Sequence, residues 1–158
     1  MSQQDDVEDD PVLQWVTFHL EGETYGVNVM QVQEVLRVTE IAPVPGAPDH
    51  VIGIINLRGN VVTVIDSRRR FGLMPKEPDE PSRIIIVEVN GNVIGMLVDS
   101  VAEVVYLHQS EIETAPNVGK DDNSHYIQGI SSRDDSLLIL VDVNRLLSEE
   151  EISEFSSF

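Results

Sequence analysis

The sequence predicts an all-β fold: two small closed barrels of about five strands each, with short helices, built from one unit used twice. Three observations predict it. Apolar residues come in short runs rich in Val and Ile, separated by Gly and Asn turns. Aromatic residues make up 5% of the chain against 41% hydrophobic, so the core is mostly Val, Ile and Leu. The series of strands and turns in the first half recurs, in order, in the second.

In order, residues 1–12 read as a disordered acidic tail. Trp15, Phe18 and Leu20 open a strand that turns at Glu21-Gly22-Glu23, and Thr24 to Asn28 return. Val29, Val32, Val35 and Leu36 recur at helical spacing, which fits a short amphipathic helix or a bent strand. Pro43, Pro45, Gly46 and Pro48 form a loop that feeds the central stretch GIINLRGNVVTVID, Gly53 to Asp66. Two β-branched runs joined by Arg58-Gly59-Asn60 read as a β-hairpin. Both arms are nearly continuous in apolar residues, so the hairpin is expected to be buried on both faces. An Arg at the tip of a buried hairpin needs a carboxylate partner. Ser67 to Phe71 reads as a short helix carrying Arg68, Arg69 and Arg70, and residues 74–82, with three prolines, as a linker.

After the linker the pattern restarts. Arg83 to Val89 is a strand, Asn90-Gly91-Asn92 a hairpin turn, and Val93 to Val98 the return. An offset of 69 pairs Gly22 with Gly91, Gly26 with Gly95, Val32 with Val101 and Glu34 with Glu103. Beyond a longer loop, Glu111 to Ser124, an offset of 76 pairs Gly53 with Gly129, Asp66 with Asp142 and Arg69 with Arg145. The division expected is a first barrel over 13–73, a second over 83–147, and an acidic tail over 148–158. The halves differ most at one hairpin tip: Asn56-Leu57-Arg58-Gly59 against Ser132-Arg133-Asp134-Asp135.

Net charge is −18, from 28 acids and 10 bases. Nine acids lie in the two ends, leaving 19 acids against the same 10 bases between them. Such a surface repels phosphates and anionic lipid, which argues against nucleic acid and membrane as partners. Solvated tails account for part of the acidity; a high-salt cytosol would account for the excess in the middle as well. No stretch has the length and apolarity of a membrane span or a signal peptide, and there is no Cys. A cytoplasmic protein is expected.

Catalytic patterns fail on inspection. Gly119-Lys120 lacks the first Gly of a phosphate loop and the Ser or Thr that should follow the Lys. His19, His50, His108 and His125 have no ligand spacing and read as surface or turn residues. Asp66 and Asp142 each end a strand before a short helix, where N-capping explains them better than acid–base chemistry. No enzyme activity, cofactor or metal is expected, and the default role is to hold partners. For Arg58 two carboxylates compete, Glu34 and its repeat equivalent Glu103; Glu34, in the same half, is preferred. That pair either fixes the fold or orients a groove lined by Val29, Val32 and Leu57. A small-ligand barrel using the seam as its pocket is the alternative from another class.

At these residues the chain resembles the CheW family, the coupling proteins of chemotaxis. The resemblance rests on YGVNVMQVQEVLR (Tyr25 to Arg37), PGAPDHVIGIINLRGNVVTVID (Pro45 to Asp66), IGMLVDSVAEVV (Ile94 to Val105) and LLILVDVNRLL, and spans Leu13 to Leu147. It implies two SH3-like five-stranded barrels and a helical C-terminal end. It implies a scaffold of a two-component system that links methyl-accepting chemoreceptor cytoplasmic domains to the regulatory domain of the histidine kinase CheA. An adaptor of a surface-motility pathway would use the same contacts. Carried over by position, the resemblance puts Val32, Glu34, Arg58 and Gly95 at the receptor groove and Gly53 near a partner interface, with Arg58 pairing to Glu34. Thr63 stands where the family usually has Pro, which a strand tolerates.

Overall fold

The computed structural model describes residues 10–113, 126–133 and 136–146. In these, β1 (Val12–Leu20), β2 (Glu23–Asn28), β3 (Val32–Arg37), β4 (Val51–Leu57) and β5 (Asn60–Asp66) are followed by one helical turn, α1 (Ser67–Arg70). Then come β6 (Arg83–Val89), β7 (Asn92–Val98), β8 (Ser100–His108), β9 (Ile127–Arg133) and β10 (Ser136–Val141). Residues 1–9 of the expected acidic tail, most of the loop expected over Glu111 to Ser124, His125, the tip Asp134-Asp135 and the C-terminal end beyond Leu146 lie outside the described residues, while Val12, expected in the disordered tail, is the first residue of β1. The one helical feature described near that end is a 3-10 turn at Val143–Arg145.

The strands form two five-stranded sheets. One, the Trp15 sheet, has the order β8-β1-β2-β10-β9; the other, the Arg58 sheet, has the order β3-β6-β7-β5-β4. Moving each strand of the first five to its repeat equivalent turns one order into the other, so the duplication is a pseudo-twofold of the fold. The sequence halves are not, however, the two barrels. The hairpin β1-β2 sits between β8 and β10, and the hairpin β6-β7 sits between β3 and β5. The expected division into 13–73 and 83–147 is corrected accordingly: each sheet takes strands from both halves. The exchange is closed by two parallel contacts, Val64 opposite Gly95 and Leu140 opposite Gly26.

The exchange creates a core that neither half could build. Phe18, Leu20, Tyr25 and Val27 from one half meet Ile85, Val87, Met96 and Val141 from the other in the largest cluster, along the seam. Each sheet also closes on a small core of its own: Ile55, Val64, Ile84 and Ile86 in the Arg58 sheet, and Trp15, Leu107, Leu138 and Leu140 in the Trp15 sheet. A ladder of rings crosses the seam, Phe18–Tyr25 at 5.7 Å, Tyr25–Phe71 at 5.2 Å and Phe71–Tyr126 at 4.3 Å between centroids. Burial there pushes the Tyr126 phenol up to about 12, so both tyrosines stay neutral and act as core.

Local chemistry explains the element ends. Glu21-Gly22, Arg58-Gly59 and Asn90-Gly91 all have positive φ at both positions, as two-residue hairpins with native twist require. The 29–36 segment resolves as the bent-strand alternative. Val29–Gln31 is a 3-10 turn, with Asn28 Oδ1 accepting from Met30 N at 2.9 Å, and β3 follows with a register shift between Val32 and Glu34. Asp66 accepts from Arg68 N at 3.0 Å and Asp142 from Asn144 N at 3.0 Å, so both aspartates are N-caps.

Candidate functional site: a partner groove at the Arg58 hairpin

The tetrad Asn56-Leu57-Arg58-Gly59 divides the work of making a tip. Asn56 Oδ1 accepts from Gly59 N at 2.8 Å and closes the turn. Leu57 packs on the core of the Arg58 sheet. Gly59, at φ 88°, supplies a left-handed position without steric cost. Arg58 is left-handed too, at φ 52°. That conformation costs a side chain with a Cβ of the order of 1 kcal/mol, and Asn or Asp is the usual occupant. The turn at Asn90-Gly91 carries the residue its backbone prefers; the turn at Arg58 does not.

The Arg58 side chain crosses to β3 and pairs with Glu34. Nη1 donates to Oε1 at 3.2 Å and Nη2 to Oε2, a two-bond fork. That fork holds the Glu34 carboxyl below its ordinary range and the guanidinium above its own. The pair is on the surface, with 70% of the Arg58 side chain and 27% of that of Glu34 exposed. The expectation of a hairpin buried on both faces is therefore corrected. Thr63 to Asp66 of β5 are buried throughout, β4 alternates, and the tip projects into solvent. No buried charge has to be compensated there, and an exposed ion pair contributes little to stability.

Beside the pair lies a groove of about 420 Å³. It opens where the parallel strands β5 and β7 splay before their first paired residues, Thr63 and Ile94. Leu57, Arg58, Gln33, Val61, Val93 and Ile94 are among its lining residues, and Val61 is 63% exposed. The rim is thus a fixed ion pair, and in the wall Val61 and Val93 put exposed aliphatic carbon beside Gln33, Asn60 and Asn92. A surface of this kind holds an apolar side of a partner and orients it by charge.

The expected site residues separate into three groups. Glu34, Leu57 and Arg58 come together at the groove. Val29 and Val32 are half-buried against the seam core and do not line it. Gly95 is buried in β7, where an added Cβ would sit 2.8 Å from Ile84 Cγ2, so its contribution is close packing beneath the groove. Gly53 is remote from the groove: an added Cβ would fall 2.1 Å from the Ala42 carbonyl oxygen. It admits the strand-like bridge in which Ala42 N donates to Ile54 O at 2.9 Å and Ile54 N to Ala42 O at 2.8 Å.

Gln33, Val61 and Val93 are groove residues that motif reading does not select. Val61 had a signal, because it is opposite Asn56 in the hairpin and so shares the polar face. Among the described residues no cluster of His, Cys, Asp or Glu could hold a metal ion, and no helix is long and apolar enough to cross a membrane. His19 instead shares a hydrogen bond with Ser100 Oγ at 2.9 Å, and His108 Nδ1 lies 3.7 Å from the Asp10 carboxylate.

With this geometry in place, comparison with known proteins is informative. Residues 14–151 match the family model of the CheW-like domain. The chain is 35% identical over 135 residues to the chemotaxis protein CheW of Bacillus subtilis, covering 85% of this chain and 86% of that protein. It is 32% identical over 140 residues to the CheW of Klebsiella aerogenes, covering 89% and 84%. Its fold superposes on the crystal structure of the scaffolding protein TtCheW of Thermoanaerobacter tengcongensis with a TM-score of 0.81 at 35% identity, covering 89% of this chain and 96% of that one. A family match over nearly all of the double barrel, together with a relative of the same architecture, makes this chain a member of the CheW-like family.

Proposed function

We propose that the chain is a non-catalytic chemotaxis adaptor, which couples chemoreceptor cytoplasmic tips to the regulatory domain of the CheA histidine kinase. It would act in the cytoplasm and reach the membrane only through receptor arrays. The relatives named above, chemotaxis CheW proteins and a scaffolding protein, support the adaptor role. The groove beside Arg58 is the receptor site in this reading. A receptor helix lays apolar side chains against Val61 and Val93, and the Glu34–Arg58 fork sets its register. Val29, Val32 and Gly95 shape the groove from behind, and Gly53 acts through the backbone bridge that holds β4.

One observation carries the site: an arginine held in a left-handed turn position, reaching across to a glutamate, where the pair is too exposed to do much for folding. Glu21 holds the same conformation for the sake of its turn, so what sets Arg58 apart is the two-bond reach of its side chain to Glu34. The surface-motility reading has no separate observation in its favour, and a ligand-binding seam is disfavoured by the aliphatic and aromatic side chains that fill it.

Arg58→Asn is the informative substitution, because Asn suits positive φ and leaves the Asn56–Gly59 bond in place. The variant should melt no lower than the parent, while its affinity for a receptor cytoplasmic fragment, measured by co-sedimentation, should fall by roughly tenfold or more. Undiminished binding by the folded variant would remove Arg58 from the receptor site.

A further inference from the structure

The pseudo-twofold gives the Arg58 groove a counterpart on the Trp15 sheet, a second groove of about 220 Å³. Its wall repeats the first in part, and Thr17, His19, Glu103 and Val105 are its own additions. Leu137 stands for Val61, Ser136 for Asn60, Thr24 for Val93 and Ala102 for Gln33. Leu137, 50% exposed, is the aliphatic counterpart of Val61.

The difference between the two lies in the ion pair. In the first groove Arg58 covers Glu34, and the guanidinium is part of the wall. In the second, Glu103 takes the place of Glu34 and is itself part of the wall. Its carboxylate has no cationic partner among the described residues, and in the repeat the sequence has Asp134 at the position equivalent to Arg58.

Glu103 is also held in place. Thr17, 3% exposed, donates from Oγ1 to Glu103 O at 2.6 Å and accepts there from Glu103 N at 3.0 Å. This happens where β1 and β8 shift register between Val16 and Phe18. A buried hydroxyl thus fixes both backbone groups of a residue whose side chain faces solvent. The apolar counterpart of Thr17 in the repeat, Ile86, can do neither.

We propose that this second groove docks a protein segment presenting an arginine or lysine beside an apolar side chain. The partner's cation meets Glu103, as Arg58 meets Glu34 within the chain, and its apolar neighbour packs on Leu137. An uncovered carboxylate in a preformed groove selects a cationic group and disfavours an acidic one. The inference rests on the adaptor reading, which requires two partners held at once, and it gives the second of them a surface.

The test titrates the full chain separately with two probes, a chemoreceptor cytoplasmic fragment and the CheA regulatory domain. Glu103→Arg should weaken one probe by roughly tenfold or more, and Glu103→Gln should weaken the same probe by a few-fold. The probe affected should not be the one that Arg58→Asn weakens. Melting temperature and the emission of Trp15, the single tryptophan, should not change. If Glu103→Arg fails to fold, Glu103→Gln decides alone. Both probes bound at parental strength by the Glu103 variants, or Glu103→Arg and Arg58→Asn weakening the same probe, would overturn the second groove and leave the adaptor reading standing. A parent that binds neither probe would overturn both.

Discussion

Gly53→Ala should lower the stability of the protein by roughly 3 kcal/mol, more than any other single-methyl change at its glycines. Its Cβ would lie 2.1 Å from the Ala42 carbonyl oxygen and 2.8 Å from the carbonyl carbon. Both contacts are with backbone, so no rotamer change relieves them, and the bridge must open. Opening gives up the two hydrogen bonds between Ala42 and Ile54, at about 1 kcal/mol each. Ile41 also loses its packing on the core of the Arg58 sheet, a loss of about 1 kcal/mol more. For a chain of 158 residues this corresponds to a fall in melting temperature of roughly 6–12 °C.

The repeat supplies the internal control. At Gly129 an added Cβ would lie 2.7 Å from Ile112 Cγ2 and 3.0 Å from Glu113 O, in the equivalent bridge between Glu113 and Ile130. There the nearer atom belongs to a side chain, which can move. Gly129→Ala should therefore cost less than Gly53→Ala, and thermal melts of the two variants check the ranking.

Arg68→Ala is the second large effect. Arg68 Nε donates to Asp99 Oδ1 at 2.8 Å and Nη2 to Oδ2 at 2.6 Å, while Nη1 donates to Met74 O at 3.0 Å. Asp99 Oδ2 also accepts from Glu21 N at 2.9 Å. One guanidinium thus ties α1 and the start of the linker to the β7–β8 corner, and through it to the first hairpin turn. With side chains only 12% and 20% exposed, this pair is worth far more than a surface pair, and its loss should cost roughly 2–3 kcal/mol near neutral pH.

The cost depends on pH with a definite sign. Hydrogen bonds from Arg68, more than any other cause, hold the Asp99 carboxyl below its ordinary value of 3.8. A carboxyl depressed on folding contributes stability that is complete above its unfolded value and is lost as pH falls through the folded one. The parent and Arg68→Ala should therefore differ by the full amount at pH 7 and converge in acid below the ordinary carboxylate range. Denaturant titrations at pH 7 and pH 3 check the direction, with the smaller difference expected at pH 3. An equal difference at the two would show that Arg68 acts through packing.

Much of the fold was legible because it is locally encoded. Gly22, Gly59 and Gly91 mark turns whose backbone only a few residues adopt, and Asp66 and Asp142 sit where the first amides of a helical turn need an acceptor. The Glu34–Arg58 pair was legible from a departure: one copy of the repeat has an arginine the other lacks. The exchange of strands was not legible, because an apolar run records that a strand is buried and not which strand it lies beside. Gly26 in β2 and Gly95 in β7 fit beside β10 and β5, yet the sequence alone offers each several apolar neighbours.

The Arg68–Asp99 pair left a signal of the same kind as Arg58. At the repeat equivalents of Asp99 and Arg68 stand Met30 and Asn144. The two departures occur together because each is one half of an interaction. In the other copy Asn144 Oδ1 instead accepts directly from Asn90 N at 3.2 Å, and Met30 is left 87% exposed. Comparing the halves for paired differences, and not only for shared positions, would have found the Arg68–Asp99 pair; at the other pair the carboxylate is shared and only the arginine departs.

The central claim is that this double barrel holds two proteins at once and performs no chemistry on either. Sedimentation velocity on an equimolar mixture of the full chain, a chemoreceptor cytoplasmic fragment and the CheA regulatory domain tests it directly. The account predicts a boundary containing all three components, which loses the receptor fragment when the chain carries Arg58→Asn. Two binary complexes that exclude each other, or no complex with either protein, would contradict it.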